Sequence, residues 1–190
     1  MTTTTQGSSR QPLEVIKVHE MILEAFESRD KAYAPYSNFH VGAALLCADG
    51  TIVGGCNVEN ASYGAGICAE RTAIPKAISM GHRSFLACAV TSQLAEPSVS
   101  PCGICRQVLR EFLPLNTPIF MLSSTYLDSH SAKGSAPKAL AECLEDYMQG
   151  LSLREREAKV NKEYGRLIRV MSLEELLPLS FGPEHLAMPR

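Results

Sequence analysis

The chain is organised around Ile67-Cys68-Ala69-Glu70-Arg71-Thr72-Ala73-Ile74, which opens a predicted helix with a thiol and places a carboxylate two residues later. A second predicted helix begins at Pro101-Cys102-Gly103-Ile104-Cys105-Arg106 and carries two thiols three residues apart. Residues three apart lie on one face of a helix, so both thiols can bind one metal ion. The N-terminus of a helix also favours thiolate over thiol. We therefore expect the two helix starts to face each other and to form one metal site.

The residue types in these segments predict a catalytic zinc ion, one per chain. Zinc takes four tetrahedral ligands, and a catalytic site leaves one position to water. Cys68, Cys102 and Cys105 supply three ligands. Glu70 is expected to lean over the open position, where it would take a proton from the attacking water and pass it to the substrate. Arg71 is expected to hydrogen-bond the ligand sulfurs and to draw charge from them.

A structural zinc site, or a group of buried core cysteines, is the simpler alternative. Structural zinc sites close all four positions with Cys or His. The fourth ligand would have to be one of the other cysteines or a distant histidine, and none of them has the spacing of a ligand. C-x-E followed by P-C-x-x-C is, in addition, the signature of zinc-dependent nucleobase and nucleoside deaminases. The pattern therefore favours catalytic zinc.

The composition predicts one domain in a reducing compartment. The 190-residue chain is 45% hydrophobic, and its net charge of −2 gives no basic field for nucleic acid. No apolar run approaches the length of a membrane span. Residues 1–11 are polar and lack the apolar core of a secretory signal, so we expect a disordered tail there and a single domain over 12–190. Seven cysteines without an export signal favour reduced thiols and a cytoplasmic location.

Alternating strands and helices predict a three-layer α/β/α sandwich around a mixed sheet. An amphipathic helix over 13–31 precedes a hairpin of two strands, 41–47 and 51–56, whose turn is Asp49-Gly50. The other predicted elements are helices over 68–80 and 103–112, strands over 85–92, 117–123 and 166–171, and a short helix with a capping box of Ser172 and Glu175. Pro75 is expected to kink the first metal helix without loss of the site.

Residues 125–163 have a different composition and are predicted to be an insertion between the last two strands. The segment is rich in Ser, Lys, Glu and Ala, and it contains no strand-like run. Its middle, 137–160, is helical in composition. Structureless loops of this length are uncommon in compact domains, so we expect the insertion to carry a helix.

Beyond the two metal segments, the chain closely resembles the homotetrameric, three-cysteine class of cytidine deaminases. The matching pieces are Ala34-Pro35-Tyr36-Ser37-Asn38-Phe39 with Val41-Gly42-Ala43-Ala44, Gly55-Cys56-Asn57-Val58-Glu59-Asn60-Ala61-Ser62-Tyr63, Cys68-Ala69-Glu70-Arg71-Thr72-Ala73, Ser100-Pro101-Cys102-Gly103 through Arg106-Gln107, Glu175-Leu176-Leu177-Pro178 and Ser180-Phe181-Gly182-Pro183. The resemblance implies a five-stranded sheet between helices and a homotetramer with shared active sites. It implies hydrolytic deamination of cytidine and deoxycytidine to uridine and deoxyuridine, as in pyrimidine salvage. The insertion has no counterpart in the compact members of this class.

The resemblance also assigns contacts to the nucleoside. Phe39 would pack against it, and Asn57 and Glu59 would hydrogen-bond the ribose hydroxyls. The Ala69 backbone, with Glu70, would read the exocyclic amine and the ring nitrogen of cytosine. The residues that would reach into a neighbouring subunit's site are Ala61, Tyr63 and Phe181. Without the resemblance, these side chains would be interpreted as loop caps and core packing.

Three other functions share parts of this pattern. A polynucleotide-editing deaminase would need a basic stripe with interleaved aromatic residues, which the sequence lacks. A deaminase of nucleoside antibiotics has the same metal motif, but the predicted ribose contacts in Asn57-Val58-Glu59 favour an ordinary nucleoside. A non-catalytic zinc-binding scaffold would have no need of Glu70 beside complete metal ligands.

Overall fold

The structure, a computed structural model, describes residues 13–95, 98–127, 138–152, 154–156 and 167–186. Within these ranges one five-stranded sheet has the strand order β2-β1-β3-β4-β5. The strands are β1 (Val41–Cys47), β2 (Ile52–Cys56), β3 (Phe85–Ser92), β4 (Pro118–Leu122) and β5 (Ile168–Ser172). β3 and β4 are parallel, and the other neighbouring pairs are antiparallel. The predicted mixed five-stranded sheet is therefore confirmed.

Helices cover both faces of the sheet, so the predicted three-layer sandwich is confirmed. The helices are α1 (Val15–Arg29), α2 (Ala69–Ser79), α3 (Gly103–Phe112), α4 (Lys138–Met148), α5 (Leu173–Leu176) and α6 (Pro183–Leu186). The α1 and α4 helices share one buried apolar cluster, whereas α2, α3 and α5 share the other. Successive strand residues point to opposite faces, and Ala44 accordingly joins the first cluster and Leu45 the second.

Two glycines of the sheet allow the first two helices to approach the strands closely. A Cβ atom at Gly42 would collide with the backbone of α1 at Ala25, and one at Gly55 would lie 2.5 Å from the Ala73 nitrogen of α2. The close approach matters for the predicted metal site because α2 begins directly after Cys68. Pro75, where we expected a kink, lies on the exposed side of α2, and the helix continues beyond it to Ser79.

The hairpin and the capping box have the predicted form. Gly50 has a φ of 85° in the turn between β1 and β2, a left-handed conformation that glycine adopts without steric cost. Ser172 Oγ accepts from the Glu175 backbone N–H at 3.1 Å, and Glu175 Oε2 accepts from the Ser172 N–H at 2.7 Å. This reciprocal pair starts α5 and orients the segment that follows it.

The described part of the insertion belongs to the core. Leu140, Leu144 and Tyr147 of α4 are buried, and the helix packs against α1 and β5. Helix α4 ends at Met148, and Gly150 follows with a φ of 78°. A left-handed glycine at this position terminates a helix. Residues 154–156 are helical again, and the predicted helical stretch after residue 156 lies outside the described residues.

Some predictions lie outside the described residues. These are the disordered tail over 1–11 and the insertion over 128–137 and 157–163. The assignment of 12–190 to a single domain stays a prediction. Among the described residues, no helix has both the length and the apolar character that a membrane span requires.

Candidate active site

The two metal segments meet at the starts of α2 and α3, as expected. Cys68 is the N-cap of α2, and Cys102 is the N-cap of α3. Their sulfur atoms lie 3.9 Å apart. Cys105, one turn into α3, completes a cluster in which all three sulfurs lie within 4.8 Å of one another.

The sulfur geometry fits a zinc ion. Two Zn–S bonds of about 2.3 Å at a tetrahedral angle separate the sulfurs by about 3.8 Å, close to the distance between Cys68 and Cys102. In the part of the chain that the structure describes, this cluster contains three ligand side chains. Three protein ligands are the number that catalytic zinc sites use.

The thiols of the cluster are coupled by hydrogen bonds. The bond from the Cys105 thiol, together with the contacts of Arg71 and Cys102, lowers the pKa of Cys68 to about 5. The same bond to Cys68, together with burial, raises the pKa of Cys105. Nη2 of Arg71 lies 3.8 Å from the Cys68 sulfur and 3.4 Å from the Gly66 carbonyl oxygen. The structure thus places Arg71 where the sequence predicted it, against a ligand sulfur.

Glu70 is buried beside the three sulfurs, in the first turn of α2. Its side chain is 3% exposed, and its Oε2 lies 3.4 Å from the Cys105 sulfur. Burial is the main cause that raises the pKa of Glu70, and the neighbouring Cys68 thiolate adds to it. A carboxyl group whose pKa is raised holds a proton more readily, which suits a group that must accept and release protons during turnover.

A cleft of about 320 Å³ opens next to the metal cluster. It is lined by Tyr36, Ser37, Glu59, Asn60, Tyr63 and Gly66. Gly66 also accepts the Arg71 hydrogen bond, and Arg71 contacts Cys68, so these two residues connect the cleft to the cluster. Its volume falls in the range of small-molecule binding sites.

Of the two predicted ribose-binding side chains, Glu59 lines this cleft, whereas Asn57 braces the segment that leads into β1. Asn57 Nδ2 donates to the Phe39 carbonyl oxygen at 2.8 Å, and Asn57 Oδ1 accepts from the Val41 N–H at 2.8 Å. Glu59 Oε2 accepts from the backbone N–H groups of Tyr36 and Ser37 at 2.9 and 3.2 Å.

The Ser37 hydroxyl also donates to Glu59, and this bond is the main cause that lowers the pKa of the Glu59 carboxyl. The three backbone and side-chain donors to Glu59 come from a segment more than 20 residues away, and no sequence signal pointed to Ser37 or to this bracing role.

The residues predicted to serve a neighbouring subunit lie on the surface. Ala61 and Tyr63 are exposed, and the Tyr63 ring lies 6.4 Å from the Tyr36 ring at the cleft. Phe181 is exposed as well, and its ring stacks on His185 at 5.1 Å. Gln107 Nε2 of α3 donates to the Phe181 carbonyl oxygen at 3.0 Å, which ties this aromatic residue to the second metal helix.

Two arginines that the sequence analysis missed position the second metal segment and the Phe181 loop. Arg106 donates to the carbonyl oxygens of Pro101 at 2.7 Å and Leu176 at 2.8 Å. Arg110, which is buried, donates to Ser180 Oγ at 3.0 Å and forms an ion pair with Glu184. The arginines and their partners are separated by up to 74 residues in the sequence, so only the fold reveals these contacts.

Comparisons with known proteins agree with this geometry. The family profile described as "Cytidine and deoxycytidylate deaminase zinc-binding region" matches residues 16–121. A cytidine deaminase of Sporosarcina psychrophila is 53% identical over 104 residues, which cover 55% of this chain and 76% of that protein. A cytidine deaminase of Halalkalibacterium halodurans is 52% identical over 101 residues, which cover 53% and 76%.

A solved structure of a cytidine deaminase from Burkholderia pseudomallei superposes with a TM-score of 0.61. The two chains are 36% identical, and the match covers 86% of this chain and 98% of that one. The fold, the thiol cluster and the family profile lead to one conclusion: this chain belongs to the zinc-dependent cytidine and deoxycytidylate deaminase family.

Proposed function

We propose that this chain is a zinc-dependent cytidine deaminase that converts cytidine and deoxycytidine, with water, to uridine and deoxyuridine plus ammonia. The observation that carries the proposal is the buried Glu70 carboxylate beside three clustered thiols, which Arg71 connects to a small-molecule-sized cleft through Gly66. The two relatives at about half identity are named cytidine deaminases, whereas a blasticidin-S deaminase of Bacillus cereus matches at 31% identity. The higher identity favours cytidine over a nucleoside antibiotic as the substrate.

Cys68, Cys102 and Cys105 would hold the metal, one ion per chain. When bound, zinc acidifies a water molecule and so makes the nucleophile available at neutral pH. Glu70 then moves the protons: its carboxylate takes one from the attacking water and delivers it to the ring nitrogen of cytosine. The same carboxylate then takes the second proton of the former water from the new hydroxyl on the ring carbon and passes it to the departing amine, which leaves as ammonia while the ring carbonyl forms. The Ala69 backbone would read the exocyclic amine.

Asn57 and Glu59 retain acceptor capacity for the ribose. A carboxylate offers about four lone-pair sites, and Glu59 uses three of them for Tyr36 and Ser37. The amide oxygen of Asn57 offers two, and it uses one for Val41. We therefore assign the remaining sites to ribose hydroxyl groups, and we assign Phe39 to packing against the nucleoside.

This assignment predicts strong discrimination between cytidine and cytosine. Polar groups that are built to bind a hydroxyl lose their partners when the ribose is absent, which costs about 10⁴-fold in specificity. We expect kcat/KM for free cytosine to be lower than that for cytidine by about this factor. The loss of cytidine absorbance measures turnover, and ammonia release confirms it. A zinc-loaded protein that releases no ammonia from cytidine would refute the proposed function.

We further propose a homotetramer in which Ala61, Tyr63 and Phe181 complete a neighbouring subunit's site. Large exposed apolar side chains support an interface, since such surface marks protein contacts. They include Tyr36, Tyr63, Ile104, Leu179 and Phe181. The roles in pyrimidine salvage and in the cytoplasm stay predictions.

A mixed oligomer tests the shared site. Glu70→Gln should inactivate a subunit's own site, and Phe181→Ala should weaken the neighbour's. Coexpression of the two variants should produce oligomers with more activity than either variant alone, because an intact Phe181 then meets an intact Glu70. Native mass spectrometry should show four chains. Activity that never exceeds the average of the two single variants would contradict sharing.

A further inference from the structure

We propose that this chain binds a second divalent cation of the zinc type at Cys47, Asp49 and His82. One ligand atom from each side chain lies within 4.8 Å of the other two. Thiolate, carboxylate and imidazole are all zinc ligands. Cys47 ends β1, Asp49 lies in the hairpin turn, and His82 lies between α2 and β3. Neither the catalytic cluster nor the cleft uses these three residues.

Backbone hydrogen bonds bring the two connections together. The Ala48 N–H donates to the Ser84 carbonyl oxygen at 2.9 Å, which places the segment before β3 beside the hairpin turn. Oδ1 of Asp49 accepts from the Thr51 N–H at 3.0 Å. This bond directs the other carboxylate oxygen, Oδ2, towards Nδ1 of His82 at 3.2 Å. The ligand groups are therefore oriented before any cation binds.

The three side chains range from fully buried to mostly exposed to solvent. Cys47 is 1% exposed, whereas the side chains of His82 and Asp49 are 17% and 57% exposed. A cation can approach from the Asp49 side and keep a water ligand there, while the buried thiol gives up its proton, as thiols do on binding zinc. The simpler interpretation is a His82–Asp49 ion pair beside a core cysteine. The two interpretations predict different numbers of zinc ions per chain.

The proposed site lies at the end of the sheet opposite the catalytic centre. β1 begins beside Asn57 and ends at Cys47, seven strand residues or about 20 Å later. The α2 helix begins after Cys68 and spans about 16 Å before the turn that leads to His82. A cation at the far end would connect the hairpin to the helix whose first turn carries Glu70.

Metal counting tests the proposal without using deaminase activity. The full-length protein is loaded with Zn²⁺, desalted, and assayed for zinc per chain. We expect two ions in the wild type and one in both Cys47→Ala and His82→Asn. Cys143→Ala is the matched control: it removes another buried thiol on the opposite face of the sheet, and it should retain two ions.

Cobalt substitution identifies the ligands. Thiolate-to-cobalt charge-transfer absorption follows the number of bound sulfurs, so Cys47→Ala should lose about a quarter of the intensity, one sulfur of four. His82→Asn, a change in a partly exposed connection, keeps the test valid if Cys47→Ala fails to fold. One zinc per chain in the wild type with the catalytic cysteines saturated would overturn the proposal. So would a second ion that persists in both variants, which would be adventitious.

Discussion

Replacing Glu70 by Gln should lower kcat for cytidine by about 10²- to 10⁴-fold, the usual contribution of a positioned proton-transfer group. The amide keeps the shape of the side chain but cannot accept and return a proton. Burial raises the pKa of Glu70, so its carboxylate accepts a proton more readily than an exposed glutamate does. The zinc content per chain should stay unchanged, because Glu70 is not assigned as a ligand.

Steady-state kinetics and zinc analysis on the same preparation distinguish a loss of proton transfer from a loss of bound zinc. Glu24→Gln is a suitable control, since it makes the same substitution at a half-buried position on α1, across the sheet from the catalytic centre. This control should keep wild-type turnover. If Glu70→Gln retains full kcat with zinc bound, another group moves the protons and the proposed role of Glu70 is wrong.

Replacing Cys102 by Ala should remove both the catalytic zinc and the activity. Even residues that merely support a metal ligand change affinity by about 10- to 100-fold, so we expect the loss of a direct ligand to exceed 100-fold. Cys102 is exposed at the N-cap of α3, and its replacement therefore perturbs little packing. Competition with a chromogenic chelator measures the zinc affinity, and turnover at limiting zinc measures the functional loss.

Two measurements distinguish the loss of a zinc ligand in Cys102→Ala from misfolding. Circular dichroism should show the wild-type helix and strand content in Cys102→Ala, and Cys143→Ala should keep wild-type zinc affinity and activity. Full activity of Cys102→Ala at limiting zinc would mean that the ion is held by other residues. In that case the thiol cluster at the two helix starts is not the catalytic centre.

Local patterns in the sequence were sufficient for most of the fold. Strand β3 and helix α3 have the predicted bounds, and the hairpin turn lies at Asp49-Gly50. Each depends on periodicity or turn chemistry within a few residues. The interruption after α4 does not follow from composition, because helical composition continues past Gly150, whereas the backbone there adopts a left-handed conformation.

The metal cluster and the Arg71 contact were predictable from the sequence, whereas the contacts that brace the cleft were not. Cys68, Cys102 and Glu70 follow from a motif whose parts lie within single helical turns. The bracing of the cleft by Glu59 and Ser37, 22 residues apart, has no such motif. Cys47 and His82 were likewise set aside because their spacing resembles no ligand pattern, and yet the fold brings them together.

The amino-acid sequence by itself determined the chemistry of this protein: three thiols and one carboxylate, placed at the starts of two helices. Spacing within a helical turn is a local property, so no knowledge of the fold was needed to interpret it. Only the tertiary structure decided which side chains hold the cleft, how Arg110 positions the Phe181 loop and where a second cation could bind. Those contacts join segments distant in sequence, and their distances depend on how the sheet and its two helical layers pack.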